Sequence, residues 1–563
     1  MTSNTPLEPS GEWAAELHEL QLRRGFAHAM GGAQALAKFK ASGRMNARER
    51  IAHLLDKDTF RELGSLAGKG HYSHEGVFER LDPTNAIVGT GRMQGRKVAL
   101  HVDDFSIRAG SSEATIAEKW IYIERMAHQL RMPLIRLVDS AGGSVKLLMQ
   151  IGGTKIPEYP SWPANELLKT VPVVGVALGA CAGQGAIKVL SSHFSVMVRE
   201  QAQVMAAGPH VVRQAYAQDV DKNDLGGHLV HRKSALVHNE AEDEADALRQ
   251  VQRFLSYLPR SVFHTAPVLT PTDDPNRADD WLKDAIPRDR RKIYDPRKIL
   301  ASVLDHDSIF EIGRYQGGSV ITALARVNGV PVGVIANDPK VQGGAMTVQA
   351  AYKMERHVNL CSLFGLPVVN FVDQPGNQTG VDAEIGGTLL GATRVGQAVH
   401  ECRSPWISML VRRCFGMAGA LHAPKYGEAL NLRYAWPSAR WGSIPIEGGV
   451  MAAHKTEIDA APDPGAKRAE LEAFYLNMTS PFRTAEKFGI LDIIDPRETR
   501  SILCDWVEDA WALAPSKVLF HPHPNRREPI DAAFEYVAAH HGTHAFGGAG
   551  VDQVAGLQCP GGG

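Results

Sequence analysis

Gly91-Arg-Met-Gln-Gly-Arg-Lys-Val-Ala-Leu-His-Val-Asp-Asp104 is matched later in the chain by Ala325-Arg-Val-Asn-Gly-Val-Pro-Val-Gly-Val-Ile-Ala-Asn-Asp338. Gly95 falls on Gly329, 234 residues on, and the same offset pairs Asp104 with Asp338, Gly110 with Gly344 and Lys119 with Lys353. Continuing without a gap, it pairs Pro133 with Pro367, Asp139 with Asp373 and Gly142 with Gly376, and it puts Gly185-Ala186 on Gly419-Ala420. A register held over roughly 90 residues marks a tandem duplication. Upstream, with a small indel, Leu54-Leu-Asp-Lys-Asp-Thr-Phe-Arg-Glu-Leu-Gly64 matches Val303-Leu-Asp-His-Asp-Ser-Ile-Phe-Glu-Ile-Gly313.

Each copy alternates between short apolar runs and helix-length segments. Val98–Val102 and Val332–Ala336 read as strands. Thr115–Leu130 and Gln349–Leu363 have helical spacing, and Leu134–Asp139 and Val368–Asp373 are strands that each follow a proline. Val173–Leu178 and Trp406–Val411 come next, each running into a glycine-rich turn and a helix. Such βαβ alternation predicts two α/β units around buried sheets. Prolines at 267, 271, 275, 287 and 296 mark the boundary between them. The expected division is an extension 1–30, an N-terminal domain 31–265, a linker 266–296, a C-terminal domain 297–520 and a flexible tail 521–563.

With 61 Lys+Arg against 62 Asp+Glu the net charge is −1, which gives no global reason to expect nucleic acid or an anionic membrane as partner. Six scattered cysteines without a C-x-x-C pair argue against a zinc site or a disulfide framework. No apolar run reaches the roughly 18 residues of a membrane span, and the N-terminus lacks a signal-peptide pattern. The expected location is the cytoplasm.

The chemistry is expected at the glycine-rich turns Ser140–Gly143, Ala180–Ala186, Gln374–Asn377 and Cys414–Ala420. Such turns present free N–H groups at a helix dipole and can hold a phosphate or a developing oxyanion. Dinucleotide and phosphate-loop fingerprints are absent, as are H-E-x-x-H and G-x-S-x-G. His101, His193, His210, His228 and His231 read as surface or satisfied polar residues, and the acids from Glu240 to Asp246 as a solvated helix face. No metal ligand set and no side-chain nucleophile stand out.

Six motifs resemble the carboxyltransferase (β) subunits of biotin-dependent acyl-CoA carboxylases, the propionyl-CoA and 3-methylcrotonyl-CoA carboxylase family. They are Ala47–Asp56, Leu137-Val-Asp-Ser-Ala-Gly-Gly143, Cys181-Ala-Gly183, Phe371-Val-Asp-Gln-Pro-Gly376, Tyr434-Ala-Trp-Pro-Ser438 and Ile493-Ile-Asp-Pro-Arg-Glu-Thr-Arg500. The resemblance implies two crotonase-like (ClpP/crotonase) domains in tandem, acyl-CoA on the N-terminal one and biotin on the C-terminal one. It implies transfer of a carboxyl group from carboxybiotin to an acyl-CoA through a thioester enolate, with oxyanions held by backbone amides. By position, Gly183, Gln184 and Gly185 form one hole, and Gly416, Met417, Ala418 and Gly419 the other. Ala109, Gly110, Gly142, Gly143, Gly376 and Leu421 fall beside the substrates.

The chain departs from that family at Gln184 and at Met417, where glycine is usual. It also has Asn377 where phenylalanine is common. No biotin-attachment motif is present, so the resemblance implies biotin on a partner α-subunit that holds biotin carboxylase and carrier, with ATP, magnesium and bicarbonate used there. It also implies a homo-oligomer, dimer to hexamer. The alternatives are a biotin-dependent acyl-CoA decarboxylase, a non-catalytic scaffold paralogue, and a biotin-independent hydratase or hydrolase using Glu113, Asp382, Glu384 or Glu447.

Overall fold

The computed structural model describes residues 10–520 apart from 155, 157, 290 and 425–430, so the tail at 521–563 lies outside the described residues. Both copies build the same sheet. In the first, the strand order is Arg61–Leu63, Ala86–Met93, Arg96–Asp103, Leu134–Ser140, Val173–Ala182, Phe194–Val198 and Asn239–Ala241. In the second it is Phe310–Ile312, Val320–Val327, Val330–Asn337, Val368–Gln374, Trp406–Phe415, Asn431–Ala435 and Asp492–Ile493. The opening three strands of each sheet pair antiparallel and the rest run parallel. A short strand, Gln203–Met205 or Arg440–Gly442, pairs with the far end of the long strand in each copy.

The parallel strands are covered on both faces, which is why they read as unbroken apolar runs. Every residue of Leu134–Ser140 and of Val368–Gln374 is buried. The crossover helices run Ala117–Gln129 and Val348–Phe364, and the second ends at Gly365 in the left-handed region, which accepts the chain reversal without a Cβ clash. One apolar cluster runs through both copies, from Val98 and Val174 to Val320, Met346 and Trp406. Polar bonds stitch the same seam: Arg356 Nη1 donates to Ala235 O at 2.9 Å, and Asn239 Oδ1 accepts the Gly313 N–H at 2.8 Å.

A buried carboxylate closes the middle strand of each sheet. Asp139 and Asp373 are both 0% exposed. Asp139 pairs with Arg44 and, at 3.1 Å, with Arg50; Arg50 also binds Glu244 at 2.8 Å. Arg50 reaches them from the helix Ala47–Leu54, whose start is fixed by a reciprocal Asn46/Glu49 capping box. Asp373 instead meets Arg412 at 2.9 Å and Arg413 at 2.6 Å, both on the neighbouring strand, and accepts the Tyr294 hydroxyl at 3.0 Å. The position of Arg412 is held in the first copy by Gly179, where a Cβ would sit 2.2 Å from Asp139 Oδ1 and 2.3 Å from the Arg44 guanidinium. The two copies neutralise the same carboxylate with arginines from different parts of the chain: in the first the Arg44 guanidinium fills the space beside Gly179 that a side chain like Arg412 would take.

One sequence expectation changes. The acids 240–246 are not one solvated face: Glu244 is buried on Arg50, Glu240 binds Arg199 and Arg232, and Asp243 caps the helix Glu244–Ser256. Sequence spacing cannot show cations that arrive from positions 50, 199 and 232. Within the expected extension, the helix Ala14–Ala29 packs on the strand Phe78–Pro83. Among the described residues no helix is long and apolar enough to cross a membrane.

Arg50→Ala would leave Asp139 and Glu244 buried with less countercharge, at a cost of about 3–5 kcal/mol, read as a lower urea midpoint. Lys353 gives a pH signature, because burial lowers its amine from 10.5 to about 7. Below pH 7 both folded and unfolded chains hold the proton; from 7 to 10.5 the unfolded chain binds more protons. Stability therefore gains from this group as pH rises through that window. Lys353→Met removes that gain, measured by urea unfolding at pH 6.5, 8 and 9.5.

Candidate active site

Three segments of the first copy meet at the ends of its parallel strands. Arg108, Ala109 and Gly110 are three successive residues in the left-handed region, at φ 50°, 52° and 65°. Each non-glycine residue there costs about 1–2 kcal/mol, so the loop persists only because its surroundings hold it. Ala109 O accepts the Ala141 N–H at 3.0 Å, Gly110 O accepts the Ser140 hydroxyl at 2.7 Å, and Gly142 O accepts the Ser112 N–H at 3.0 Å. Gly142 then lies against the next turn, where a Cβ would stand 2.8 Å from Ala182 O. Gly185 closes the cluster, since a Cβ there would be 3.2 Å from Ser140 O. Ala109, Gly110, Gly142 and Gly185 are thus brought together, with Gly143 exposed at the edge.

The donors in this turn differ from the expected set. The Gly183 N–H is spent on Met205 O at 3.1 Å, because the short strand Gln203–Met205 runs alongside. Gly183 (φ 54°) instead makes the sharp entry to the helix Gln184–Leu190. Gln184, Gly185 and Ala186 occupy its first turn, where N–H groups have no partner within the helix. The Gln184 side-chain amide nitrogen is buried without a partner among the described residues.

In the second copy the matching turn enters the helix Gly416–Ala420 at Gly416, φ 62°. The ladders correct the ungapped register. Leu134 pairs with Val173 and Ser140 with Cys181, whereas Val368 pairs with Trp406 and Gln374 with Cys414. The second connection is one residue shorter, so from this strand onward the copies match at 233. That pairs Gly183 with Gly416, Gln184 with Met417 and Gly185 with Ala418. The two non-glycine departures therefore occupy the same position in the two turns. Met417 is 68% exposed, so it faces outward. Gly376 (φ 139°) accepts the Met346 N–H at 3.0 Å, much as Gly142 accepts Ser112. Leu421 is core instead, 6% exposed and packed over Gly396.

A cavity lies beside the segments that flank each turn. The first, about 670 Å3, is lined by Ala180, Met205, His210 and Arg213. The second, about 660 Å3, is lined by Arg412, Arg413, Phe415, Trp436 and Arg440. Ala180 and Arg413 are equivalent at the 233 register, so the two cavities share that lining position, while the segment 282–288 lines the second alone. Both volumes fall in the range of small-molecule sites. The sequence reading missed these cavity residues. The signal for one pair was present, since Arg412-Arg413 directly precedes the turn where the first copy has Gly179-Ala180.

Of the histidines, His101 and His231 are buried and hydrogen-bonded, His193 is half-buried and hydrogen-bonded, and exposed His210 lines the first cavity. Of the candidate carboxylates, Glu113 accepts the Ser144 hydroxyl at 2.6 Å beside Gly143. Asp382 and Glu384 are exposed on the short helix Val381–Ile385, and the Glu447 side chain lies outside the described residues.

A family model, the carboxyl transferase domain, matches residues 38–526. The propionyl-CoA carboxylase carboxyltransferase subunit of Haloferax mediterranei is 31% identical over 492 residues, 86% of this chain and 94% of that protein. The methylmalonyl-CoA decarboxylase subunit alpha of Veillonella parvula is 28% identical over 472 residues, 84% of this chain and 91% of its own length. A transcarboxylase 12S crystal structure, described as a hexamer with methylmalonyl-coenzyme A bound, superposes with a TM-score of 0.80 at 28% identity, covering 93% of this chain and 99% of that one. The two sheets are thus the tandem crotonase-like fold, and the chain belongs to the carboxyl transferase domain family, the carboxyltransferases of biotin-dependent acyl-CoA carboxylases.

Proposed function

We propose that this chain moves a carboxyl group between biotin carried by a partner subunit and an acyl-CoA, with the acyl-CoA on the unit 31–265 and biotin on the unit 297–520. The observation that carries the reading is the pair of equivalent glycine-rich turns, each flanked by residues that line a cavity of about 660–670 Å3. Two reactants and two developing oxyanions need two such places. Biotin, when bound, supplies the transferable carboxyl group. A ring-sized apolar and polar-edged group fits the second cavity, where Phe415 and Trp436 give apolar walls and Arg412, Arg413 and Arg440 a polar edge, next to the turn that starts at Gly416.

The chain's own work is orientation and charge stabilisation. When the α-proton leaves an acyl-CoA, negative charge moves onto the thioester oxygen. The N–H groups of Gln184 and Gly185, at the positive end of their helix, are placed to receive it. Met417, Ala418 and Gly419 offer the matching donors to a urea oxygen. Such a site favours neither direction, so the same residues serve carboxylation and decarboxylation; the decarboxylase relative fits as readily as the carboxylase one. The partner would be an α-subunit with biotin carboxylase and carrier, where ATP, magnesium and bicarbonate are used. The hexamer of transcarboxylase 12S supports a homo-oligomer; the proposed arrangement sets one copy's acyl-CoA unit against another's biotin unit, in the cytoplasm.

Purified chain given free biotin and malonyl-, methylmalonyl- or methylglutaconyl-CoA is expected to release CO2 from one of them only when biotin is present. Gly142→Val and Gly416→Val should each lower that rate by about 10²–10³ while leaving the oligomer intact by sedimentation. Full activity in both variants would place the chemistry away from these turns, and no CO2 release by the intact parent oligomer with any of the three would point to a scaffold instead. Glu113→Gln is expected to stay within about threefold of the parent in kcat, since carboxyl transfer here asks no acid–base work of it. Turnover of an acyl-CoA without biotin, lost in Glu113→Gln, would establish the hydratase or hydrolase chemistry.

A further inference from the structure

The duplication supplies an internal control for the first copy's interior. Under the acyl-CoA turn lie five polar or charged side chains that are almost wholly enclosed: His101 (2% exposed), Asp103 (5%), Glu124 (0%), Arg136 (0%) and Lys188 (6%). Lys188 Nζ lies 3.4 Å from His101 Nε2 and 4.5 Å from the centre of the Trp120 ring. His101 spans Asp103 at 3.3 Å and Glu124 at 3.6 Å, and Arg136 binds Glu124 through both oxygens at 2.8 Å. Burial pulls the Lys188 amine down despite Asp103 and Glu124, and Lys188 with His101 holds Asp103 below the usual carboxylate range against its own burial.

The second copy lacks this cluster. At the 234 register His101, Asp103, Glu124 and Arg136 correspond to Ile335, Asn337, Val358 and Asn370, and at 233 Lys188 corresponds to Leu421. The same fold packs there with no charge at any of the five positions. Buried ion clusters are weak sources of stability and can often be replaced by apolar groups without loss. Fold stability therefore does not explain why the first copy keeps one.

The cluster touches both pieces of the acyl-CoA turn. Lys188 is part of the helix Gln184–Leu190, and Arg136 donates to the carbonyls of Lys188 at 3.1 Å and Ser191 at 2.6 Å, closing that helix at the end opposite the turn. Asp103 Oδ2 accepts the Asp139 N–H at 3.2 Å, one residue before Ser140. We infer that His101, Asp103, Glu124, Arg136 and Lys188 are positioning residues for carboxyl transfer, which lock the helix of Gln184 and Gly185 to the loop of Gly142 at the spacing the reaction needs. This rests on the acyl-CoA reading of the first copy.

The test transplants the second copy's solution: His101→Ile, Asp103→Asn, Glu124→Val, Arg136→Asn and Lys188→Leu in one full-length chain. With the carboxylated acyl-CoA that the parent turns over and free biotin, kcat is expected to fall at least about tenfold with KM within about threefold, and unfolding to stay cooperative. A folded variant with parental kcat overturns the inference. Should that variant not fold, Lys188→Met and Lys188→Arg decide it: a tenfold loss of kcat in the first, restored in the second, supports positioning, and parental kcat in the first overturns it. A parent chain without biotin-dependent turnover refutes the functional reading instead, so the two failures are distinct.

Discussion

The structure turns on one electrostatic constraint, met twice: a carboxylate buried at the end of each middle strand. Asp139 and Asp373 are sealed from water, and a carboxylate there is tolerable only with cations and donors in place. Meeting that demand organises what surrounds each turn. In the first copy it draws in the capped helix of Arg50 and, through Glu244, the helix at the sheet's far edge. In the second it fixes Arg412 and Arg413 on the strand that leads into the turn. Because each carboxylate lies just before a glycine-rich turn, the ion pairs that satisfy it also fix where that turn's amides point.

Strain is distributed the same way. Left-handed backbone at Arg108–Gly110 recurs at Gln342–Gly344, with φ of 47°, 63° and 85° in the second copy. Two copies have diverged at almost every side chain of these loops and kept the shape. A strained conformation kept while its side chains change is maintained for what its backbone does, which here is to seat the neighbouring turn. Where the copies differ most is in charge: arginines line the second cavity, and an ion cluster underlies the first turn. One duplicated unit has thus kept its backbone scaffold while its two copies have diverged in charge.

Much of this was legible beforehand, for a definite reason. Repeats, strand runs and turn glycines are local patterns, and the offset of 234 exposed the duplication before any fold was known. The turn glycines were legible as well, because close backbone approach leaves glycine as its trace. The bond from the Gly183 N–H to the carbonyl of Met205 was not legible, since that carbonyl lies 22 residues on in a strand too short to be seen in the pattern. Leu421 was placed beside a ligand by position alone, and packing puts it in the core.

The sequence by itself determined the duplication, the α/β character and the location of four turns, because each depends on residue order within a short window. Only the tertiary structure decided which amides remain free and that Gln184 and Met417 are equivalent. It also decided which cation answers which buried acid. Those facts depend on ladder register and on groups brought together across 40 to 200 positions, as Arg50 is to Glu244. A single-residue deletion in the connection of the second copy shifts that register by one, and a linear comparison that tolerates no gap steps past it.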